Sequence, residues 1–177
     1  MYNKPVLTIL NKYTDEWGHE PTNFISEEVL DTIFSILKEK YQIIYIRYKG
    51  ESAPDENWWR SDHVIPTKKL FDYELINEKH PEVTTLYDLM KKFPILSYNE
   101  MQMRILANCD NFISVPGGTA IFTCYFAPRL LVANADCRDV VTGANSNSGW
   151  YSKLSGTDIT ISDTSSDLIN KAIEFYL

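Results

Sequence analysis

Apolar residues along this chain follow two patterns. Unbroken runs fill Pro5 to Leu10, Gln42 to Arg47, Phe112 to Val115 and Arg129 to Ala133. Strands buried on both faces, as in a covered parallel sheet, read this way rather than alternating. Glu82 to Leu86 and Asp158 to Ser162 predict two further strands. Between them, apolar positions recur at helical spacing. Val29, Leu30, Ile33, Ile36 and Leu37 mark a helix capped by Ser26, acidic in its first turn and ending near Lys40. Phe71 to Lys79 predicts a second helix, stopped by His80-Pro81. Met101, Ile105 and Leu106 mark a third, from Tyr98 to Cys109, with Ser97 or Asn99 as cap. Thr119 to Phe126 predicts a fourth, and Ser165 or Ser166 caps a last one reaching Tyr176.

Strand and helix alternate from end to end without a repeat. That order predicts a single doubly wound α/β domain with a mostly parallel six-stranded sheet. The length of 177 residues agrees, since such a chain buries about 68–70% of its unfolded surface in one domain. In an open α/β sheet, ligands bind beyond the carboxyl ends of the strands. That edge gathers Asn11 to Trp17, Arg47 to Trp59, Asp88 to Asn99 and Pro116 to Thr119. The segment from Asp139 to Gly149 predicts a flexible insertion that orders on binding.

The most informative of these edge segments is Pro116-Gly117-Gly118-Thr119. It joins a buried strand to a helix through two glycines, where backbone N–H groups are left for an anion and no Cβ blocks close approach. A tight turn needing small residues for packing explains the same letters. Neither a P-loop ending in Gly-Lys-Ser/Thr nor a Gly-x-Gly-x-x-Gly fingerprint occurs, which removes the usual signs of phosphoryl transfer and nicotinamide chemistry.

Charge narrows the ligand further. The formal net charge is −7, which argues against a nucleic-acid binder and requires a local basic pocket for any anion. Lys12 after the first strand and Arg47 at the end of the second are the candidates; Arg47 serves equally as a carboxylate's partner. Trp58-Trp59-Arg60 fits either stacking on a ring or anchoring its loop. His19 has no visible partner for acid–base work. No Ser/His/Asp triad, metal-ligand spacing or close carboxylate pair stands out. The cysteines Cys109, Cys124 and Cys137 lack metal-type spacing, and neither a leader nor a run of about 20 apolar residues appears. A cytoplasmic protein without a membrane span is the expectation.

Pro94-Ile95-Leu96-Ser97-Tyr98-Asn99-Glu100-Met101-Gln102-Met103-Arg104, followed by Asn108 through Thr119, resembles the C-terminal, donor-binding half of GT-B glycosyltransferases. The loop opened by Asn11-Lys12-Tyr13 is similar to the phosphate-facing first loop of that half. The resemblance implies a Rossmann-like domain that binds a nucleoside-diphosphate sugar and transfers the sugar without metal or cofactor. It implies that Gly117, Gly118 and Thr119 hold the diphosphate, that Lys12 and Arg47 supply charge, and that Tyr98, Asn99 and Glu100 meet ribose or base. A GT-B enzyme has two such halves and this chain has room for one. A separate acceptor-binding half, or a homodimer, would complete it. A non-catalytic nucleotide- or glycan-binding module is the alternative, and another α/β enzyme such as an epimerase or phosphatase ranks below both.

Overall fold

In the computed structural model, residues 3–13, 21, 24–49, 69–133, 153 and 155–177 are described. The strands are β1 (Val6–Leu10), β2 (Gln42–Ile46), β3 (Thr84–Thr85), β4 (Asn111–Ser114), β5 (Arg129–Ala133) and β6 (Asp158–Ser162). All six join one sheet in the order β3-β2-β1-β4-β5-β6, and every neighbouring pair is parallel. This is the strand order of a doubly wound Rossmann-like fold, with its direction of growth reversing between β1 and β4.

The helices are α1 (Glu27–Leu37), α2 (Asp72–Lys79), α3 (Leu86–Lys92), α4 (Tyr98–Leu106), α5 (Gly118–Thr123) and α6 (Ser165–Tyr176). They bury the sheet on both faces. Leu7, Ile9, Ile43, Tyr45, Ile113 and Leu131 pack toward α1, α2 and α6. Leu10, Ile44, Ile46, Phe112, Leu130 and Val132 pack toward α3, α4 and α5. Successive strand residues thus alternate between two apolar layers, which is why the strands read as unbroken apolar runs.

Several boundaries differ from the sequence expectation. β3 holds only two residues, and the chain turns directly into α3, which the apolar pattern did not predict. Thr85 accepts from the Asp88 N–H while Asp88 accepts from Thr85, a reciprocal capping box that starts the helix. Ser97 caps α4, its hydroxyl accepting from the Glu100 N–H at 3.2 Å. α6 is capped by Thr164 rather than by the following serines, with Thr164 accepting from the Asp167 N–H at 3.1 Å. Ser26 sits at the N-cap of α1 in extended conformation without a side-chain cap bond. α5 begins at Gly118 and ends at Thr123, shorter than expected. The segments holding His19, Trp58-Trp59-Arg60, Cys137 and Asp139 to Gly149 lie outside the described residues.

Candidate functional site

Register places the two predicted turns side by side. Leu10 pairs with Ser114 at the ends of β1 and β4, and the Val115 N–H donates to the Leu10 carbonyl at 3.1 Å. Two residues further on, Lys12 stands level with the Pro116-Gly117 turn. Its Nζ lies 3.1 Å from the position a Cβ on Gly117 would occupy. Gly117 has φ +115°, a backbone region that side-chain-bearing residues rarely enter. Gly118 opens α5, is exposed, and has no heavy atom within 4 Å of a built Cβ. Thr119 is half-buried in the first turn, and its carbonyl accepts from the Thr123 hydroxyl at 2.8 Å. Lys12, Gly117, Gly118 and Thr119 therefore converge at the switch point between β1 and β4.

Asn11, expected beside them as a ligand contact, is 6% exposed and bonded on every side. Its Oδ1 accepts from the N–H groups of Lys12 and Ile25, both at 2.9 Å. Its Nδ2 donates to the Ile25 carbonyl at 2.9 Å and to the Tyr45 hydroxyl at 3.0 Å. An amide with two acceptor bonds and two donor bonds is saturated. Asn11 clamps the exit of β1 to the start of α1 and fixes the Lys12 backbone. Tyr13 packs edge-to-face on Phe24, ring centroids 4.6 Å apart.

Arg47 is placed at the expected edge, but Asp72 of α2 occupies its fork. Arg47 Nε donates to Asp72 Oδ2 and Arg47 Nη2 to Asp72 Oδ1; the Arg47 side chain is 4% exposed and that of Asp72 is 0%. The same carboxylate accepts from the Tyr45 hydroxyl, so one network runs Asn11–Tyr45–Asp72–Arg47. Burial disfavours the guanidinium charge, yet the bonds and charge of Asp72 outweigh it and hold the arginine firmly protonated. Burial, reinforced by Asp72, raises the Tyr45 phenol well above its ordinary value. A carboxylate of the chain itself thus stands where the sequence allowed a diphosphate.

Tyr98, Asn99 and Glu100 form the first turn of α4. Asn99 is exposed, and Glu100 pairs with Arg104 at 2.9 Å. Tyr98 packs against Tyr48, centroids 5.6 Å apart, and Tyr87, 6.0 Å apart. The residue that sequence reasoning missed is Lys49. Its ammonium lies 3.8 Å from the centroid of Tyr73 and 4.8 Å from that of Tyr87, a cation–π arrangement at the end of β2. The four tyrosines come from four separate segments without a period, so no local signal announces them.

Away from this edge, a concavity of about 260 Å³ lies at the amino ends of the strands, near Lys4, Gln42 and Glu82. An apolar groove of about 290 Å³ runs along α4 between Val6, Phe93 and Ile105. Among the described residues, no group of three or more His, Cys, Asp or Glu side chains could hold a metal ion, and no helix is long and apolar enough to cross a membrane. The chain matches no family model, no curated protein and no solved structure.

Proposed function

We propose that the chain binds a nucleoside-diphosphate sugar at the switch point and acts as the donor-binding domain of a glycosyltransferase. The observation that carries this reading is the meeting of Lys12 with the Gly117-Gly118 turn. A cation, an open glycine and the first N–H groups of a helix face the same space beyond the carboxyl ends of β1 and β4. A diphosphate there takes charge-assisted bonds from Lys12 and approaches the backbone where no Cβ intervenes. Charge developing on the leaving diphosphate is stabilised by the same groups, without a metal. The acceptor and the residue that activates it belong to a second half, supplied by another chain or another copy.

Calorimetry with a panel of nucleoside diphosphates and their sugars tests the reading. Binding is expected, weakened by Lys12→Ala by about 1–3 kcal/mol. Gly118→Val, whose side chain projects into open space, is expected to abolish binding without lowering the melting temperature. Absence of binding by every member of the panel at millimolar concentration would sink the proposal.

The engagement of Arg47 by Asp72 favours the second reading, a non-catalytic binding module, because it removes one of the two cations expected to assist departure of the diphosphate. A sugar-release assay with each ligand that binds separates the two. Hydrolysis or transfer supports the enzyme, and binding without either supports the module.

A further inference from the structure

α3 and α4 are joined by Phe93-Pro94-Ile95-Leu96-Ser97, and the first four of these form a β-turn. The Leu96 N–H donates to the Phe93 carbonyl at 3.1 Å, which puts Pro94 and Ile95 at the two central positions. Gly, Pro, Asn, Asp and Ser dominate such turns, so an isoleucine at the apex is out of place. It is 91% exposed, the most exposed large apolar side chain among the described residues, and Phe93 is 53% exposed. Both ends of the turn are anchored. The Phe93 N–H donates to the Leu89 carbonyl at 2.9 Å, and Leu96 turns back onto the apolar layer covered by α3, α4 and α5. Core closure accounts for Leu96 and leaves Phe93 and Ile95 unexplained.

Charge at the base of the turn has the sign opposite to that of the chain. Asp and Glu outnumber Lys and Arg by 24 to 17 overall, yet the stretch from Lys91 to Ser97 holds two lysines and no acid. The nearest acids on either side are engaged: Asp88 caps α3 and lies 3.4 Å from Lys91, and Glu100 pairs with Arg104. Lys91 and Lys92 complement the dipole at the end of α3, but a dipole does not call for apolar side chains in water beside them. We infer that this turn rests on an anionic lipid bilayer, with Phe93 and Ile95 entering the interface and Lys91 and Lys92 meeting lipid phosphates. An anchored turn with projecting apolar side chains suits a medium that deforms around them, whereas a folded partner would have to supply a pocket for Ile95. Apolar groups of such anchors enter about 5–10 Å, to the boundary of headgroups and acyl chains, while cations stay among the headgroups. The acidic remainder of the chain is screened, because charges more than about 8 Å from the lipid count little at physiological salt.

Cosedimentation with sucrose-loaded vesicles tests this, comparing phosphatidylcholine alone with phosphatidylcholine containing phosphatidylglycerol at about 0.15 M salt. Wild-type protein is expected to bind the anionic vesicles at least fivefold more strongly than the neutral ones. Ile95→Ser should weaken that binding by about tenfold, the effect of removing one buried apolar side chain. Lys91→Ala and Lys92→Ala should each weaken it about fivefold and together remove the preference for anionic lipid. All three side chains are exposed, so each variant should melt with wild type by circular dichroism. Equal binding to both vesicles would overturn the anionic surface, and binding untouched by Ile95→Ser would place the contact elsewhere. If wild-type protein pellets with neither vesicle, the inference falls. A dimer seen by sedimentation velocity and dissociated by Ile95→Ser would then identify a second copy of the chain as the occupant.

Discussion

Two adjacent glycines should respond oppositely to the same substitution. Gly117 sits at φ +115° and ψ −162°, in a region reserved for glycine. Holding alanine there costs about 1–3 kcal/mol in backbone strain. The new Cβ would also stand 3.1 Å from Lys12 Nζ. That contact is tight but meets the far end of a flexible side chain, so a shift of a few tenths of an ångström relieves it. The strain therefore dominates. For a chain of this length each kcal/mol moves the melting temperature by about 2–4 °C, so Gly117→Ala should melt roughly 2–12 °C lower.

Gly118 is the first residue of α5 and has open space around a built Cβ. Alanine adopts the helical conformation there without strain and removes conformational freedom from the unfolded chain, a gain of about 0.4–1 kcal/mol. Gly118→Ala should melt at the wild-type temperature or a few degrees above it. Thermal unfolding followed by circular dichroism reads both variants against wild type. Equal destabilisation by the two, or a neutral Gly117→Ala, would refute the turn geometry and the anion site built on it.

Three other predictions concern the framework. Removing Asp72 leaves the Arg47 charge buried without its carboxylate, so Asp72→Ala should cost about 3–5 kcal/mol in urea unfolding; the apolar pair Arg47→Met with Asp72→Leu should recover much of that, and a double variant as unstable as the single one would contradict the argument. Asp31 accepts from His80 Nε2 at 2.7 Å and from Lys79 at 3.0 Å, and these bonds, His80 first, hold its carboxyl below the ordinary range. A depressed carboxyl stabilises the fold above its unfolded pKa of about 3.9 and loses that contribution as pH falls through the folded value, so Asp31→Asn should flatten the acid limb of a stability–pH curve below pH 4, and an unchanged limb would count against it. Burial pushes the Cys124 thiol up to about 11 and raises Cys109 as well; at pH 8 both should resist a thiol reagent until the protein unfolds, so fast labelling of more than one of the chain's three thiols would contradict their burial.

Most of the sheet was legible because β1, β2, β4 and β5 are largely apolar on both faces and so read as runs, whereas the edge strand β6 alternates. β1, β2, β4, β5 and β6 fall within about two residues of their predicted places. α3 was missed although its start carries the Thr85-x-x-Asp88 signature; the surrounding Val83-Thr84-Thr85-Leu86 reads as strand by composition, and the capping box won. Thr164-x-x-Asp167 likewise carries the true cap of α6, which the sequence reading places on the adjacent serines. At the site, the glycine turn and Lys12 could be located because both directly follow strands. The surroundings of Asn11 and Arg47 could not. Asn11 bonds to Tyr45, 34 positions away, through the pairing of β1 with β2, and Arg47 to Asp72, 25 positions away, through the crossover of α2 onto the sheet. Lys49 went unnoticed for the same reason, since the rings that hold it arrive from α2 and α3.

These placements divide the work of the edge between charges that are buried and charges that are presented. Arg47 and Asp72 neutralise each other beneath the end of β2, and with Tyr45 and Asn11 they join the exits of β1 and β2 to α1 and α2. Such a pair contributes rigidity rather than attraction for a ligand. Attraction must come from elsewhere in a chain of net charge −7. α5 spans six residues, fewer than two turns, so the aligned dipole behind Gly118 is short and, on the proposed reading, supplies little of the attraction. Among the described residues, Lys12 is the cation whose ammonium meets the glycine turn. Its backbone N–H is held by Asn11 Oδ1, which fixes where the lysine leaves the strand and lets its ammonium meet the Gly117 turn. The saturated amide of Asn11 therefore acts within the chain, and on the proposed reading its part is to position Lys12.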